Sequence, residues 1–271
     1  MRRFIYLVLL SVGIVYSQDS LRTLKISHAE PIYTDLVRDL GARKGELEID
    51  AGFSFRDNRR FLTYEGFVEV EFAPVNRLGV EIEVPISFNQ PIYISSDSLP
   101  HDRVQGIKLA TQYTFLVSPK LNMSAGVGFM DEILFHSFGS IHNKGFFKGN
   151  VYNPFFVVAK KFGANFHSLL YTGPQFEHVF ANNNLNFSYQ NNLSFHYTFG
   201  NSGHFLGIEF NHEFDELNWQ LTIHPQVKLK IANGFSWGMA LGIPCNNYHT
   251  GGLEIFTRLI YEPQKKVKQR S

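Results

Sequence analysis

The sequence has a single cysteine, Cys245, which excludes intramolecular disulfide bonds and a cysteine-rich metal site. Its formal net charge is only +1 at pH 7, so bulk charge favours neither nucleic acid nor an acidic partner. No apolar run beyond the N-terminus approaches the length of a transmembrane helix. If the chain lies in a membrane, it must do so as a closed barrel, because lipid offers no partner to free backbone groups.

The N-terminus has the pattern of an export signal. Arg2 and Arg3 precede an apolar run over Phe4–Val15, and Ser17 suits a cleavage site before Gln18. We therefore predict a signal peptide at 1–17 rather than a membrane anchor, since the run is too short to span a bilayer comfortably. At the other end, residues 263–271 form a basic tail.

The most regular stretch is Leu217–Ile231, where apolar and polar residues alternate at every position. Side chains alternate between faces along a strand, so this stretch predicts a long strand with one apolar and one polar face. Such a pattern over more than about 9–11 residues is typical of a strand that crosses a membrane at a tilt, with lipid outside and a polar lumen inside.

Similar alternation recurs through the chain and predicts about twelve strands, an even number as in bacterial barrels. The predicted strands are Leu47–Arg56, Phe61–Phe72, Leu78–Phe88, Val104–Leu116, Leu121–Phe129, Val151–Lys161, Asn165–Phe180, Leu185–Tyr197, Gly203–Glu213, Leu217–Ile231, Phe235–Ile243 and Gly252–Tyr261. An aromatic content of 15% suits a lipid-facing surface with interfacial girdles.

The lengths of the connections support the same fold. They alternate along the chain, and the long ones, such as Asn89–Arg103 and Met130–Asn150, all belong to one set. Barrels have short periplasmic turns and longer external loops. We therefore predict an all-β protein: a single antiparallel transmembrane β-barrel over 47–262 in the bacterial outer membrane of a Gram-negative cell.

The segment before the barrel, 18–46, does not alternate. Apolar residues at helical spacing over Ile32–Leu40, with Pro31 before them and Gly41 after, predict a short periplasmic helix. This helix is either solvated with local ion pairs or acts as a plug or docking site for a periplasmic protein. The residues expected to act in the plug or docking role are His28, Glu30, Asp35, Arg38, Asp39, Arg43 and Lys44.

Two motifs resemble known families. Ala73–Pro85, a turn followed by an acidic strand that ends in proline, resembles the outer-membrane transporters associated with meta-pathway phenol degradation. His28–Pro31 together with Asp39–Glu46 is similar to the start of uncharacterised exported β-barrel proteins of Bacteroidetes type. Both resemblances imply an outer-membrane barrel, and neither implies a particular substrate.

Charges at the inward positions are unevenly distributed. The first three strands carry an expected acidic wall: Glu48, Asp50, Glu65, Glu69, Glu71, Glu81 and Glu83. Later strands carry an expected basic wall: Lys108, Lys160, Lys228, Lys230 and Arg258. These charges either form ion pairs that fill a narrow lumen, because buried charges need partners, or line a polar path for a small solute.

Catalytic and metal motifs are weak. His28-x-Glu30 lacks the helical two-histidine spacing of a zinc hydrolase, and His167 and Ser168 point to opposite faces of their strand. We therefore predict no catalytic residue, no metal and no cofactor, and regard scattered histidines as girdle or loop residues. A site formed across strands, as in an outer-membrane lipid hydrolase, stays a distant alternative.

The favoured function is porin-like transport, the passage of a small solute through a polar lumen. The alternative is a structural or docking barrel that presents its long loops or its N-terminal helix to a partner. The expected partners are the lipid bilayer of the outer membrane, a small solute and a periplasmic protein, with no nucleic acid.

Overall fold

The structure, a computed structural model, describes residues 24–58, 61–92, 99–137, 140–200, 202–215, 218–246 and 252–263. The predicted signal peptide at 1–17 and nearly all of the predicted basic tail lie outside these residues.

The described residues form thirteen strand segments and one short helix, α1 at Ile141–Lys144. The segments are β1 Leu47–Asp57, β2 Phe61–Val75, β3 Leu78–Pro91, β4 Arg103–Val104, β5 Gly106–Ser118, β6 Met123–Phe135, β7 Phe147–Phe162, β8 Phe166–Val179, β9 Asn184–Thr198, β10 Phe205–Asp215, β11 Trp219–Ala232, β12 Phe235–Pro244 and β13 Glu254–Tyr261. β4 and β5 are two parts of one barrel strand on either side of Gln105. Within the described residues, no helix is long and apolar enough to cross a membrane.

The sheet closes on itself. Every neighbouring pair of strands is antiparallel, β13 returns to pair with β1, and the additional pairing of β2 with β3 completes the ring. Counting β4 and β5 as one strand, the barrel has twelve strands, which confirms the predicted fold class. Several strands extend further toward the long-loop end than expected, because the hydrogen-bonded ladder continues beyond the predicted bounds; β6 and β7, for example, stay paired as far as Phe135 and Phe147.

The two faces of the barrel differ as the alternation predicts. On β1, Asp50 and Ser54 are buried inside, whereas Ile49 and Phe53 lie on the outer surface. The same holds around the ring, where the exposed large side chains include Val68, Ile82, Leu109, Val127, Phe195, Leu206 and Ile255. An apolar band of this extent is stable only against lipid.

The predicted helix at Ile32–Leu40 is wrong. Residues 24–46 form an irregular loop with bends and turns that enters the lumen and returns to the same end. Side chains of the barrel wall bind the backbone that a helix would have satisfied internally: Ile32 N–H donates to Gln226, Thr34 N–H to Glu209 at 3.1 Å, and Gly41 N–H to Thr114 at 2.9 Å. The apolar residues that suggested one helix face instead contact two parts of the wall.

These contacts form two apolar clusters inside the barrel. Leu36, Val37 and Leu40 pack with Ala110, Phe155, Val157, Ala159, Leu169 and Tyr171. Ala29 and Ile32 pack with Phe205, Ala240, Phe256 and Ile260. The core of this barrel is therefore the interface between residues 24–46, called the plug segment below, and the lumen wall.

Candidate functional site

Acidic side chains line the lumen on the first three strands. The structure places six of the predicted residues on the inner face, each no more than 5% exposed: Glu48, Asp50, Glu69, Glu71, Glu81 and Glu83. Glu65 also points inward, but it lies nearer the long-loop end and its side chain is 36% exposed. Because β1, β2 and β3 are neighbours in the sheet, their inward carboxylates form one continuous acidic wall.

Arg258 on β13 is the cation at the edge of this wall. Its guanidinium bonds Asp50 at 2.5 Å and also bonds Glu69. From the opposite side, Asp35 of the plug segment holds the same guanidinium at 2.7 Å. Arg258 is 3% exposed, and a buried arginine is stable only with such partners.

Arg38 of the plug segment is the second buried cation. Its guanidinium bonds Glu48 and lies 3.0 Å from Glu71, while its backbone carbonyl accepts a hydrogen bond from Gln112 at 2.5 Å. The plug segment and the barrel therefore form ion pairs in which each of them supplies one cation and at least one carboxylate. Arg38 pairs with the wall, and Asp35 pairs with Arg258.

The expected basic wall is not a separate surface opposite the acidic one. Lys108 projects from β5, next to β3, and bonds Glu83 at 2.6 Å, and Arg258 lies beside β1. Lys228 and Lys230 have the same inward parity on β11 as His224 and Gln226 but lie closer to its short-turn end. Lys108 and Arg258 therefore border the acidic wall and pair with it, so the expectation that these two residues belong to a separate basic wall is wrong.

Lys160 does not face the lumen. On β7 the buried positions are Phe155, Val157 and Ala159, which places Lys160 on the outer face with Phe162, whose ring centroid lies 5.4 Å from the lysine Nζ. From Phe155 to Ala159 the lumen face of β7 is apolar because it contacts the plug segment, whereas Asn153, nearer the long loops, lines the cavity. The rule that polar residues face inward fails on this strand for that reason.

A separate set of ion pairs lies where the plug segment enters and leaves the barrel, at the short-turn end. Lys25 contacts Asp39 and bonds Glu46 at 2.8 Å, and these carboxylates raise the pKa of Lys25 despite its burial. Burial and the neighbouring Asp39, which shares a hydrogen bond with Glu30, raise the pKa of Glu30. The remaining predicted residues, Arg43 and Lys44, are exposed at the turn before β1.

Glycines let the plug segment approach the wall closely. A Cβ at Gly79 would lie 2.5 Å from the Cβ of Arg38, and a Cβ at Gly238 would lie 2.5 Å from the Cδ1 of Ile32. Both distances are far shorter than a normal carbon–carbon contact of about 3.5–4.0 Å. The barrel wall is therefore shaped to receive this segment.

Beyond the plug segment, toward the long loops, lies a cavity of about 700 Å³. Tyr33, Thr34 and Asp35 contribute to its lining, and so do charged groups of the acidic wall region. The cavity-lining side chains of β7–β11 are mainly uncharged hydrogen-bonding groups: Asn153, Gln175, Gln190, Asn192, Asn211 and Gln220. Amides offer both donors and acceptors, so this side can bind a neutral polar solute.

Several histidines that were expected to be girdle or loop residues lie in the lumen. His167, His196 and His224 are buried there, and His224 stacks on Tyr33 of the plug segment with ring centroids 3.7 Å apart. Each of the three lies at an inward position of its strand, and this position in the polar–apolar alternation was the signal that could have identified it.

His28 and Ser124 do not form a catalytic pair. His28 Nε2 lies 3.0 Å from Ser124 Oγ, but Ser124 is fully buried and His28 Nδ1 has no partner among the described residues, so this pair lacks access and an orienting carboxylate.

The sequence matches the family described as HAEPLYID-like over residues 24–262. This chain belongs to that family. The eight letters of the name, read as amino acids, agree with His28–Asp35 at six positions, and this stretch of the plug segment ends at Asp35, which bonds Arg258. A search of curated proteins found no significant match.

Solved structures share the fold. An outer membrane channel from Pseudomonas putida F1 superposes with a TM-score of 0.66 at 11% identity, covering 85% of this chain and 100% of that one. The KdgM porin gives 0.54 at 15% identity, covering 80% and 99%, and the NanC porin gives 0.55 at 9% identity, covering 80% and 100%. The chain is therefore a β-barrel of the bacterial outer-membrane type, as predicted.

Proposed function

We propose that the protein is an outer-membrane channel for a small polar solute and that its plug segment closes the lumen. The observation that carries the proposal is the insertion of residues 24–46 between the walls of the barrel, fastened by the paired charges Asp35–Arg258 and Arg38–Glu71. A barrel with a purely structural role has no need of a cavity of about 700 Å³ that is lined by hydrogen-bonding side chains.

The solute class follows from the cavity lining. Amide side chains on β7–β11 favour a neutral or zwitterionic polar molecule, and the carboxylates on the other side disfavour anions. The likeness to porins is consistent with passage of a small solute. The narrower resemblance to transporters of the meta-pathway phenol-degradation family stays a prediction.

Single-channel recording in planar bilayers tests this function. The full chain should show low conductance with brief openings, and deletion of Asp19–Gly41 should raise the conductance several-fold while the protein keeps its heat-modifiable migration on a gel. A deletion variant that folds and conducts no better than the full chain would contradict the plug.

A docking role is the second candidate. At the short-turn end, Lys25, Ile26 and Ser27 line a recess of about 620 Å³ with Lys161 and Asn165 of the barrel turns, and Leu24 beside it is 56% exposed. A periplasmic protein could bind there. Unchanged conductance of the deletion variant, together with loss of a co-purifying periplasmic protein, would favour this role.

A further inference from the structure

The acidic wall, together with Asp35 of the plug segment, holds more carboxylates than the neighbouring cations can neutralise. The carboxylates are Asp35, Glu48, Asp50, Glu69, Glu71, Glu81 and Glu83, and the cations that contact them are Arg38, Lys108 and Arg258. Burial of an uncompensated carboxylate is strongly unfavourable, so an excess of this kind needs further positive charge or bound protons.

Glu81 is the carboxylate of this set that none of the three cations contacts within ion-pair distance. This side chain is 3% exposed and has no hydrogen bond or ion pair with any residue that the structure describes. The nearby ammonium of Lys108 bonds Glu83 instead. One oxygen of its neighbour Glu69, Oε2, is also buried without a hydrogen-bond partner in the described part of the chain.

The geometry suits a metal ion. One carboxylate oxygen each of Glu69, Glu81 and Glu83 lies within 4.8 Å of the other two. Calcium binds oxygens at about 2.3–2.6 Å, so ligands on one coordination sphere are separated by no more than about 5 Å. Three oxygens at this spacing, on carboxylates of which Glu81 has no hydrogen-bonding partner among the described residues, form part of a coordination shell for a hard cation.

We propose that a divalent cation of the calcium type binds between Glu69, Glu81 and Glu83. Glu83 and Lys108 line the large cavity, so the ion can reach the site from the long-loop end, and water can complete its shell. The ion joins β2 to β3 directly beside the place where Asp35 bonds Arg258. It therefore stabilises the part of the wall against which the plug segment packs.

Calcium titration of the detergent-solubilised full chain, freed of metal with a chelator, tests the site by calorimetry. We expect one calcium ion per chain and a rise in the unfolding temperature with occupancy. Glu81→Gln should weaken binding at least tenfold. The matched control is Glu213→Gln, which removes one carboxylate from the same cavity outside the cluster and should bind calcium as the wild type does.

Two results would overturn the proposal. The first is no calcium uptake by the wild type at millimolar concentration, which would mean that the carboxylates share protons. The second is equal affinity in Glu81→Gln and wild type. If Glu81→Gln does not fold, judged by heat-modifiability, Glu83→Gln replaces it, and undiminished binding there overturns the proposal. Conductance is not a readout here, so failure of this site leaves the proposed channel function untouched.

Discussion

The carboxylate of Asp35 holds the guanidinium of Arg258 at two points, with Oδ1 2.7 Å from Nη1 and Oδ2 2.7 Å from Nη2. Asp35 is in the plug segment, and Arg258 is on the strand that closes the barrel against β1. A two-point bond of this kind fixes direction as well as distance. It joins the deepest part of the plug segment to the acidic wall.

Loss of this bond should release the plug segment. Asp35→Asn keeps the shape of the side chain but removes its charge, and we expect it to weaken the plugged state by about 2 kcal/mol. That corresponds to roughly a thirtyfold change in the ratio of plugged to released protein. Single-channel open probability measures it. Asp131→Asn, which alters a carboxylate bonded to Asn150 away from the plug segment, is the control and should gate normally.

The close approach at Gly79 gives an independent prediction. Gly79→Ala adds a methyl group that would lie 2.5 Å from the Cβ of Arg38, so the plug segment must shift, at a cost of about 1–3 kcal/mol. Open probability should rise. At Gly66 an added Cβ would be 3.4 Å from its nearest neighbour, so Gly66→Ala should leave gating unchanged. Equal behaviour of the two variants would contradict the packing described for Arg38.

The pH dependence of gating should follow His28. Burial, reinforced by the neighbouring His167, lowers the pKa of His28 from 6.5 to about 4 in the packed plug segment. A histidine with a depressed pKa in the packed state binds protons more strongly when released, so acid favours release. Conductance should increase as the pH falls from about 6.5 toward 4, and His28→Gln should flatten this part of the profile. A wild-type profile that is level over this interval would refute the role of His28.

The lipid-facing surface can be tested on β9. Leu193→Arg places a charge on the outer face near the middle of the strand, and we expect a loss of about 2–4 kcal/mol in the free energy of unfolding. Gln190→Arg places the same charge in the cavity and should be tolerated. Urea titration with heat-modifiability as the readout compares them, and equal damage from both would mean that the assigned faces are wrong.

Most of the barrel could be predicted from the sequence because lipid outside and polar groups inside impose a two-residue period. On β1, Ile49 and Asp50 show that period clearly, and the structure places them outside and inside. The period fails where the lumen is not polar. β7 presents Val157 and Ala159 to the plug segment, so the inward prediction for Lys160 was wrong.

The plug segment itself could not be predicted as it folds. Ile32 and Leu36 have the spacing of one helix face, yet they belong to different apolar clusters on the lumen wall. Backbone bonds from Ile32 and Thr34 to Gln226 and Glu209 connect positions far apart in the sequence, and no local pattern encodes them. The bond from Asp35 to Arg258 likewise joins residues at opposite ends of the described chain, so no local pattern predicts it.

The most direct test of the central claim is a disulfide bond between the plug segment and the wall. The side chains of Thr34 and Asn211 touch, with Oγ1 2.8 Å from Nδ2, so Thr34→Cys with Asn211→Cys in a Cys245→Ser background should cross-link on oxidation. We expect the linked peptide by mass spectrometry, a conductance held at its lowest level, and recovery of openings after reduction. No cross-link in the folded protein, or a cross-linked barrel that conducts like the deletion variant, would contradict a plug in the lumen.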